Sequence, residues 1–279
     1  MGSPAVSVCI PVFNCRTYIA TAIDTVLAQT FTDFELIVLD NCSDDGTSEV
    51  IGSYHDPRLR VIRHATNIGA AGNWNRALAE SSGSYVKLVC ADDSLYPDCL
   101  ARQVATLERA DRNVVMTCCS RDIIDESGKK IFSRGYGRGS GLISGQEAIR
   151  QVVRSGTNIL GEVSAVLFRR DVIRQAGQFD QSLPYVIDVD LWVRILRHGA
   201  LVVTPEALCT YRVSRSSWSV AVAASQSDNF CQLIARIADE YQVPLSRADR
   251  WRGQLMAKLN SKLRRFFYLV FLRGPTTTP

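Results

Sequence analysis

Two hydrophobic periods alternate along the first part of the chain. Ser7–Phe13 (SVCIPVF) is a near-continuous apolar run of the kind buried on both faces of a sheet. Tyr18, Ile19, Ala22, Ile23, Val26 and Leu27 then recur at helical spacing. Glu35–Leu39 reads as a second strand and Leu59–Ile62 as a third, and a helical run around Trp74–Ala79 leads into a fourth, Tyr85–Cys90. A helix from Asp98 to Arg109 precedes a fifth strand at Val114–Cys118. Strands alternating with helices predict an α/β fold: a mostly parallel, Rossmann-like sheet flanked by helices, with right-handed crossovers.

Beyond residue 120 the pattern loosens. Ser127-Gly128 reads as a turn, and Gly135, Gly137, Gly139 and Gly141 alternate through a segment with Arg134, Tyr136 and Arg138, which suits a mobile loop more than a strand. A helix is expected after Ser144, then a strand at Val163–Phe168 and a short helix to Ala176. Another helix follows Asp188, with Leu191, Trp192, Ile195 and Leu196 as its apolar face and Gly199 as its stop signal. The chain divides into residues 1–120, 121–215 and a C-terminal helical extension over 216–279.

Composition narrows the function classes. The chain has 279 residues, 46% hydrophobic and 22% charged, ordinary for a globular protein with a sizeable core. The apolar run Phe266–Leu272 has seven residues, far short of the ~20 that span a bilayer. Met1-Gly2-Ser3-Pro4 lacks the basic-then-apolar pattern of a secretory leader, so a cytoplasmic location is expected. The nine cysteines form no CxxC and their odd number argues against a closed disulfide framework; buried thiols are expected, and no zinc site. Residues 225–279 hold nine Lys/Arg against four Asp/Glu, while the whole chain carries only +4. The main body is therefore slightly acidic, and no nucleic-acid partner is expected.

In open parallel sheets, ligands sit beyond the carboxyl ends of the strands. After the first strand come Pro11, Val12, Phe13 and Asn14; after the second, Asp40-Asn41-Cys42-Ser43-Asp44-Asp45-Gly46-Thr47; after the fourth, Ala91-Asp92-Asp93. Carboxylates gathered at strand ends raise each other's pKa, so a cation or a set of donors should accompany them. Neither GxxxxGK[ST] nor GxGxxG follows the first strand, and Gly69-Ala70-Ala71-Gly72 only weakly echoes a phosphate loop. A nucleotide here would have its phosphates neutralised by Mg²⁺ or Mn²⁺, with Asp92 and Asp93 as the natural ligands. Asp44, Asp45 and Thr47 read mainly as turn and cap residues; Asp40 and the Asp92–Asp93 pair are less easily explained that way.

Three ordered strings carry a family resemblance: PVFNCRTYIATAIDTVLAQTFTDFELIVLDNCSDDGT, NIGAAGNWNRAL and YVKLVCADDSLYP. They resemble the inverting glycosyltransferases of family two, with the GT-A fold, over roughly residues 5–215. The resemblance implies a nucleotide-sugar-binding half at 1–120 and an acceptor-side half of the same domain at 121–215. It implies that Asp40 accepts a hydrogen bond from the base of a UDP or dTDP sugar, with Pro11, Phe13, Asn14, Asn67 and Asp92 completing the donor site. The family's DxD motif, which binds ribose and metal, reads here Cys90-Ala91-Asp92 followed by Asp93, so the first acid is replaced by Cys90 and metal binding rests on Asp92 and Asp93.

A fourth string, GEVSAVLFRRDVIRQAGQFDQSLPYVIDVDLWVRILRHG, resembles the family's acceptor side, where an acid before an LW-like helix is the catalytic base; Asp188 matches it. Displacement at an anomeric carbon requires the attacking hydroxyl to lose its proton, which a positioned carboxylate can take; an N-cap role at the helix mouth is compatible with this. Asp190, Trp192 and Arg212 are further acceptor-side candidates, although the helical spacing of Trp192 favours core packing. Ser214 stands where many members have a histidine that contacts the metal or diphosphate, and Arg212 or Arg215 is the alternative that would balance the diphosphate. The tail repeats Trp251, Leu255, Leu259, Leu263, Phe267 and Phe271 every four residues among Lys258, Lys262, Arg264 and Arg265. Such a helix either lies on an anionic membrane through residues 251–273, peripheral on its inner face, or packs on its own domain or a second subunit as a homo-oligomer.

The expected activity is transfer of a sugar from a nucleoside-diphosphate sugar to a saccharide or lipid-linked hydroxyl acceptor. Two rivals are a non-catalytic nucleotide-sugar-binding protein, favoured by Cys90, and a nucleotidyltransferase, disfavoured because residues 11–16 lack a glycine-rich basic loop.

Overall fold

A computed structural model describes residues 3–137, 140–215, 220 and 222–271. Arg138 and Gly139 of the glycine-spaced loop, and residues 272–273 of the tail span, lie outside the described residues. One sheet organises the chain. Its strands are β1 (Val6–Val12), β2 (Phe34–Asp40), β3 (Leu59–Arg63), β4 (Tyr85–Leu88), β5 (Val114–Ile124), β6 (Lys130–Arg134), β7 (Gly141–Ile143), β8 (Val166–Arg169) and β9 (Ala200–Arg212). Their order is β3-β2-β1-β4-β8-β5-β9-β7, with β6 paired to β5 off this path. Pairings β1/β2, β2/β3, β1/β4 and β5/β9 are parallel, whereas β8, β6 and β7 run against their neighbours. The sheet is thus mostly parallel, as its sequence pattern predicts.

The connections flank it with α1 (Ile19–Leu27), α2 (Thr47–Gly52), α3 (Gly69–Glu80), α4 (Cys99–Arg109), α5 (Gly145–Ser155), α6 (Ile173–Ala176) and α7 (Ile187–Leu196). The extension adds α8 (Gln226–Asp239) and α9 (Arg247–Phe271). Alternate residues of β1 and β2 feed two cores. Val6, Val8 and Ile10 pack with α1 and α4 on one face; Cys9, Ile37 and Leu39 share the other with α5, α7 and α8. Strand β1 lies between β2 and β4, so the winding reverses there and opens a crevice at the carboxyl ends of all three strands.

Four local expectations change. The predicted strand Val163–Phe168 begins with a 3-10 turn at Val163–Ala165, and only Val166–Arg169 is extended. Helix α7 starts before Asp188, entered from a 3-10 turn at Pro184–Val186, so Asp188 sits in its first turn and is not its N-cap. Gly199 is needed because a Cβ there would collide with the Asn113 carbonyl and Val115, not as a left-handed stop. Gly135 is pressed against Ser120, where no Cβ would fit, and Tyr136 is buried, so this part of the glycine-spaced segment is packed. Ser144, by contrast, caps α5 as its sequence suggests, accepting from Glu147 N at 3.3 Å.

Candidate functional site

The crevice floor is set by two interlocked loops. Asn14, in the left-handed region at φ 48°, donates from its backbone to Ser43 Oγ (3.0 Å) and from Nδ2 to Asp44 Oδ1 (2.8 Å). Its Oδ1 accepts from Asp44 N (3.0 Å). Asp45 accepts from Arg16 N and Thr47 N, at 3.0 and 2.9 Å, so Asp44 and Asp45 brace the turn. Phe13 stands at the rim with 47% of its surface exposed, free to lie against a planar ring. Pro11 is buried within β1 opposite Leu39, beneath that rim.

Asp40 is placed less openly than its strand-end position suggests. It is buried, its Oδ1 accepts from Ser43 N (3.0 Å), its Oδ2 accepts from Ser48 Oγ, and Arg63 Nε lies 3.5 Å away. Its neighbour Asn41 reaches across the crevice instead. Asn41 Nδ2 donates to Asn67 Oδ1 (2.8 Å), and its Oδ1 accepts from Ile68 N (2.9 Å). Asn41 and Asn67 therefore join the β2 and β3 strand ends, a pairing that no periodicity in the sequence marks.

Beyond β4, the ligand atoms of Cys90, Asp92 and Asp93 lie within 4.8 Å of one another. Asp93 is buried and held at both oxygens: Oδ2 accepts from Ser164 Oγ (2.6 Å) and Oδ1 from Arg212 N (2.9 Å). Burial, then the charge of Asp92, pushes the Asp93 carboxyl well up; burial also raises Asp92. A cation between them would offset that cost, and each Asp93 oxygen keeps a lone pair for it. The carboxylate pair therefore fits a hard divalent ion such as Mg²⁺ or Mn²⁺. Cys90 fits less well, because burial and the two acids hold its thiol protonated.

Arg212 lies against the carboxylate pair, which suits the diphosphate-balancing reading of it better than the acceptor-side one. Its Nε donates to Asp92 O (2.8 Å), its Nη1 to Asp125 O (2.9 Å), and its guanidinium lies 4.3 Å from the Tyr18 ring centre. Asp190 and Trp192 also move. Asp190 is buried and pairs with Arg194 (2.7 Å) while accepting from Tyr241 Oη (2.6 Å), which fastens α7 to the end of α8. Trp192 is wholly buried against Phe168 and Phe179 and donates to Gly161 O (3.2 Å), the core position that its helical spacing favours over an acceptor-side one.

Asp188 is a different acid. Its Oδ2 accepts from Asn158 Nδ2 (2.9 Å), while burial and then the negative charge of Glu162 push its carboxyl up to about 7. Glu162 in turn faces arginines. Burial opposes its charge, but Arg121 and Arg134 overcome it and hold that carboxyl below the usual range. Arg121 is buried, lies 2.6 Å from Glu162 through Nε, and its Nη1 finds no partner among the described residues. Arg134 and Arg264 both donate to Thr157 Oγ1, at 2.8 and 3.1 Å.

The segment from Asn158 to Ser164 joins the two sides. Asn158 holds Asp188, Ser164 holds Asp93, and the charge of Glu162 bears on both acids. Lys87, buried in β4, fixes this segment by donating to Ser164 O (2.7 Å) and Gln103 Oε1 (2.9 Å). None of Asn158, Glu162 or Ser164 stands out in the sequence, since a loop without periodicity gives no signal for which polar groups turn inward, and Lys87 is a lone cation within an otherwise apolar strand whose partner the sequence does not show.

Comparison with known proteins gives concordant results. The pattern of glycosyl transferase family 2 matches residues 7–176. An uncharacterized glycosyltransferase of Rickettsia typhi is 29% identical over 215 residues, covering 76% of this chain and 64% of its own length. The chain thus spans just under two thirds of that relative. Among solved structures, S. aureus TarS in complex with UDP-GlcNAc aligns with a TM-score of 0.67 at 19% identity, over 96% of this chain and 73% of that one. A Pyrobaculum calidifontis mannosyltransferase in complex with GDP-Man and Mn²⁺ aligns with a TM-score of 0.65 at 19% identity, over 97% and 73%. At such identities these structures bear on the fold alone, which is that of GT-A glycosyltransferases.

Proposed function

The chain belongs to glycosyl transferase family 2, and from that membership we propose that it transfers a sugar, with inversion, from a nucleoside-diphosphate sugar to a hydroxyl acceptor. The observation that carries this reading is the Asn158–Ser164 segment, which sets a near-neutral carboxyl at Asp188 and a carboxylate pair at Asp92–Asp93 from one short piece of backbone. In a single displacement the acceptor oxygen bonds to the anomeric carbon, the bond to the diphosphate oxygen breaks, and the acceptor proton passes to Asp188. A carboxyl near 7 is matched to that task, because a base accepts protons best when its pKa lies near the working pH. A divalent cation on Asp92 and Asp93 would neutralise charge on the departing diphosphate.

Phe13 and Asn14 border the donor's base, with the exposed Asn67 as a polar edge braced from beneath by the buried Asn41. Asp40 supports that edge by shaping its loop, and contributes to base recognition through Ser43 and Arg63. The donors named for the two solved structures, UDP-GlcNAc and GDP-Man, support a nucleotide-sugar but leave the sugar open. On the other side, Arg121, Arg134 and Arg264 outnumber Glu162, which favours an acceptor bearing a phosphate or carboxylate. A panel of nucleotide-sugars with Mn²⁺, read by release of the nucleoside diphosphate, tests the reading. Metal-dependent release from one donor supports it; release of pyrophosphate from a nucleoside triphosphate and a sugar phosphate would replace it with a nucleotidyltransferase.

A further inference from the structure

Helix α9 is docked the wrong way round for an ordinary surface helix. Its inward face carries Gly253, Ala257 and Ser261, and a Cβ on Gly253 would collide with the Val153 carbonyl of α5. Gly156, just past α5, likewise approaches the backbone of Ala257 too closely for any side chain. The orientation is locked at both ends of this contact. Asp249 pairs with Arg150 (3.0 Å) and Arg154 (2.7 Å), and Asn260 Nδ2 donates to the Ser155 carbonyl (2.8 Å).

What is left outside is the large apolar set. Trp251, Leu255, Leu259, Leu263, Phe266 and Leu269 are 46–67% exposed, and their spacing puts them on one side of the helix. Arg252 and Lys262 are exposed among them, and Lys258 and Arg265 along the flank. No acid follows Asp249 in the chain, and Asp249 itself is turned inward. The apolar surface continues onto Phe132, 44% exposed, whose ring stands 6.0 Å from that of Phe267.

We propose that α9 seats this protein on an anionic lipid surface, lying in the interface with its apolar side down and its cations among the headgroups. No helix among the described residues is long and apolar enough to cross a membrane, and a helix with this division of faces lies on one instead. Charge decides the occupant. A second copy on the same face would set cations against cations with no acid to pair them, whereas acidic headgroups complement them. The inference is independent of the transferase reading. If both hold, Arg264 ties the inward face of α9 to Thr157, next to the Asn158 that holds Asp188, so the helix that seats the protein also braces the acceptor side, and a membrane-anchored acceptor is the substrate class served.

The test is sedimentation of the full chain with vesicles of phosphatidylcholine alone or mixed with phosphatidylglycerol, followed by Trp fluorescence. The expected result is binding to the mixed vesicles, weakened by salt, with a blue shift that is lost in Trp251→Ser. Lys258→Gln, Lys262→Gln and Arg265→Gln together should lower that affinity about a hundredfold. Leu259→Glu with Leu263→Glu should abolish it while leaving thermal melting unchanged, since both side chains face outward. Protein that stays in the supernatant with both vesicle types overturns the proposal. So does a dimer that the Leu259→Glu and Leu263→Glu pair splits into monomers, if the parent chain ignores vesicles.

Discussion

The two sides of the crevice surround their acids with different partners. Asp40 and Asp93 are buried and clasped by backbone and hydroxyl donors, Ser43 N and Ser48 for one, Ser164 and Arg212 N for the other. Asp188 has a single side-chain donor from outside its own helix, Asn158, and sits beside the negative Glu162. Burial and a neighbouring negative charge raise both Asp93 and Asp188, but Asp93 has Asp92 beside it as a second possible cation ligand, whereas Asp188 lies outside that group. On the proposed reading, cation holding falls to the paired acids and proton transfer to the one that stands apart.

The largest effect should come from breaking the donor side. Asp93→Asn removes half of the carboxylate pair, and turnover with Mn²⁺ should fall by about a thousandfold or more. In titrations, the Mn²⁺-dependent thermal shift given by the donor should vanish with it. Retained Mn²⁺-dependent donor binding would move the cation elsewhere.

Next come two substitutions that sharpen the contrast from within one loop. Asn158→Ala should lower kcat about tenfold, the scale of a lost hydrogen bond to a charged group. It should also move the acid limb of the pH–rate profile upward from about 7, because the amide favours the ionised form of Asp188. Ser164→Ala should leave that limb in place and instead raise the Mn²⁺ needed for half-maximal rate by about tenfold. If both variants changed the same parameter, the two sides would not be separable.

The smallest effect lies furthest from the chemistry. Burial opposes the Asp249 charge, yet Ser246 and Arg154 donors hold its carboxyl down at about 2. A depressed acid stabilises the fold above its unfolded pKa near ~4 and loses that contribution as pH falls toward 2. Asp249→Asn should therefore cost about 1–2 kcal/mol at pH 7 in denaturant melts, nothing near pH 2, and no turnover in solution.

The same division explains how much the chain discloses before it folds. The strands β1, β2 and β4 are short apolar runs buried on both faces, so their ends, and with them Phe13, Asp40, Asp92 and Asp93, are visible from pattern alone. Strand β9, by contrast, mixes Thr204, Pro205 and Glu206 into its middle and gives no clear period, and β5 runs to Ile124 through Arg121 and Asp122. Arg212 was thus readable as a cation for either side of the site, and only its contacts with Asp92 and Asp93 choose between them. Asp190 and Asp188 lie two apart on one helix and look alike in sequence; only the partners Arg194 and Tyr241 mark Asp190 as structural. For α9 the four-residue apolar spacing was legible, but not which side it faces. That is decided by Gly253 and Ala257, whose smallness permits a closer contact than the large residues could make.

The central claim is that Asp188 takes the acceptor proton and does not hold the donor. Once a donor sugar has been found by the panel above, Asp188→Asn should be measured for donor binding by calorimetry and for transfer under single-turnover conditions. The expected result is an unchanged donor Kd with transfer reduced by about 10²–10⁴, the scale of a lost general base. At pH 8 the variant should also melt at higher temperature than the parent, since a buried charge with a raised pKa is removed. Transfer within a few-fold of the parent, or donor affinity lost in step with transfer, would contradict the assignment.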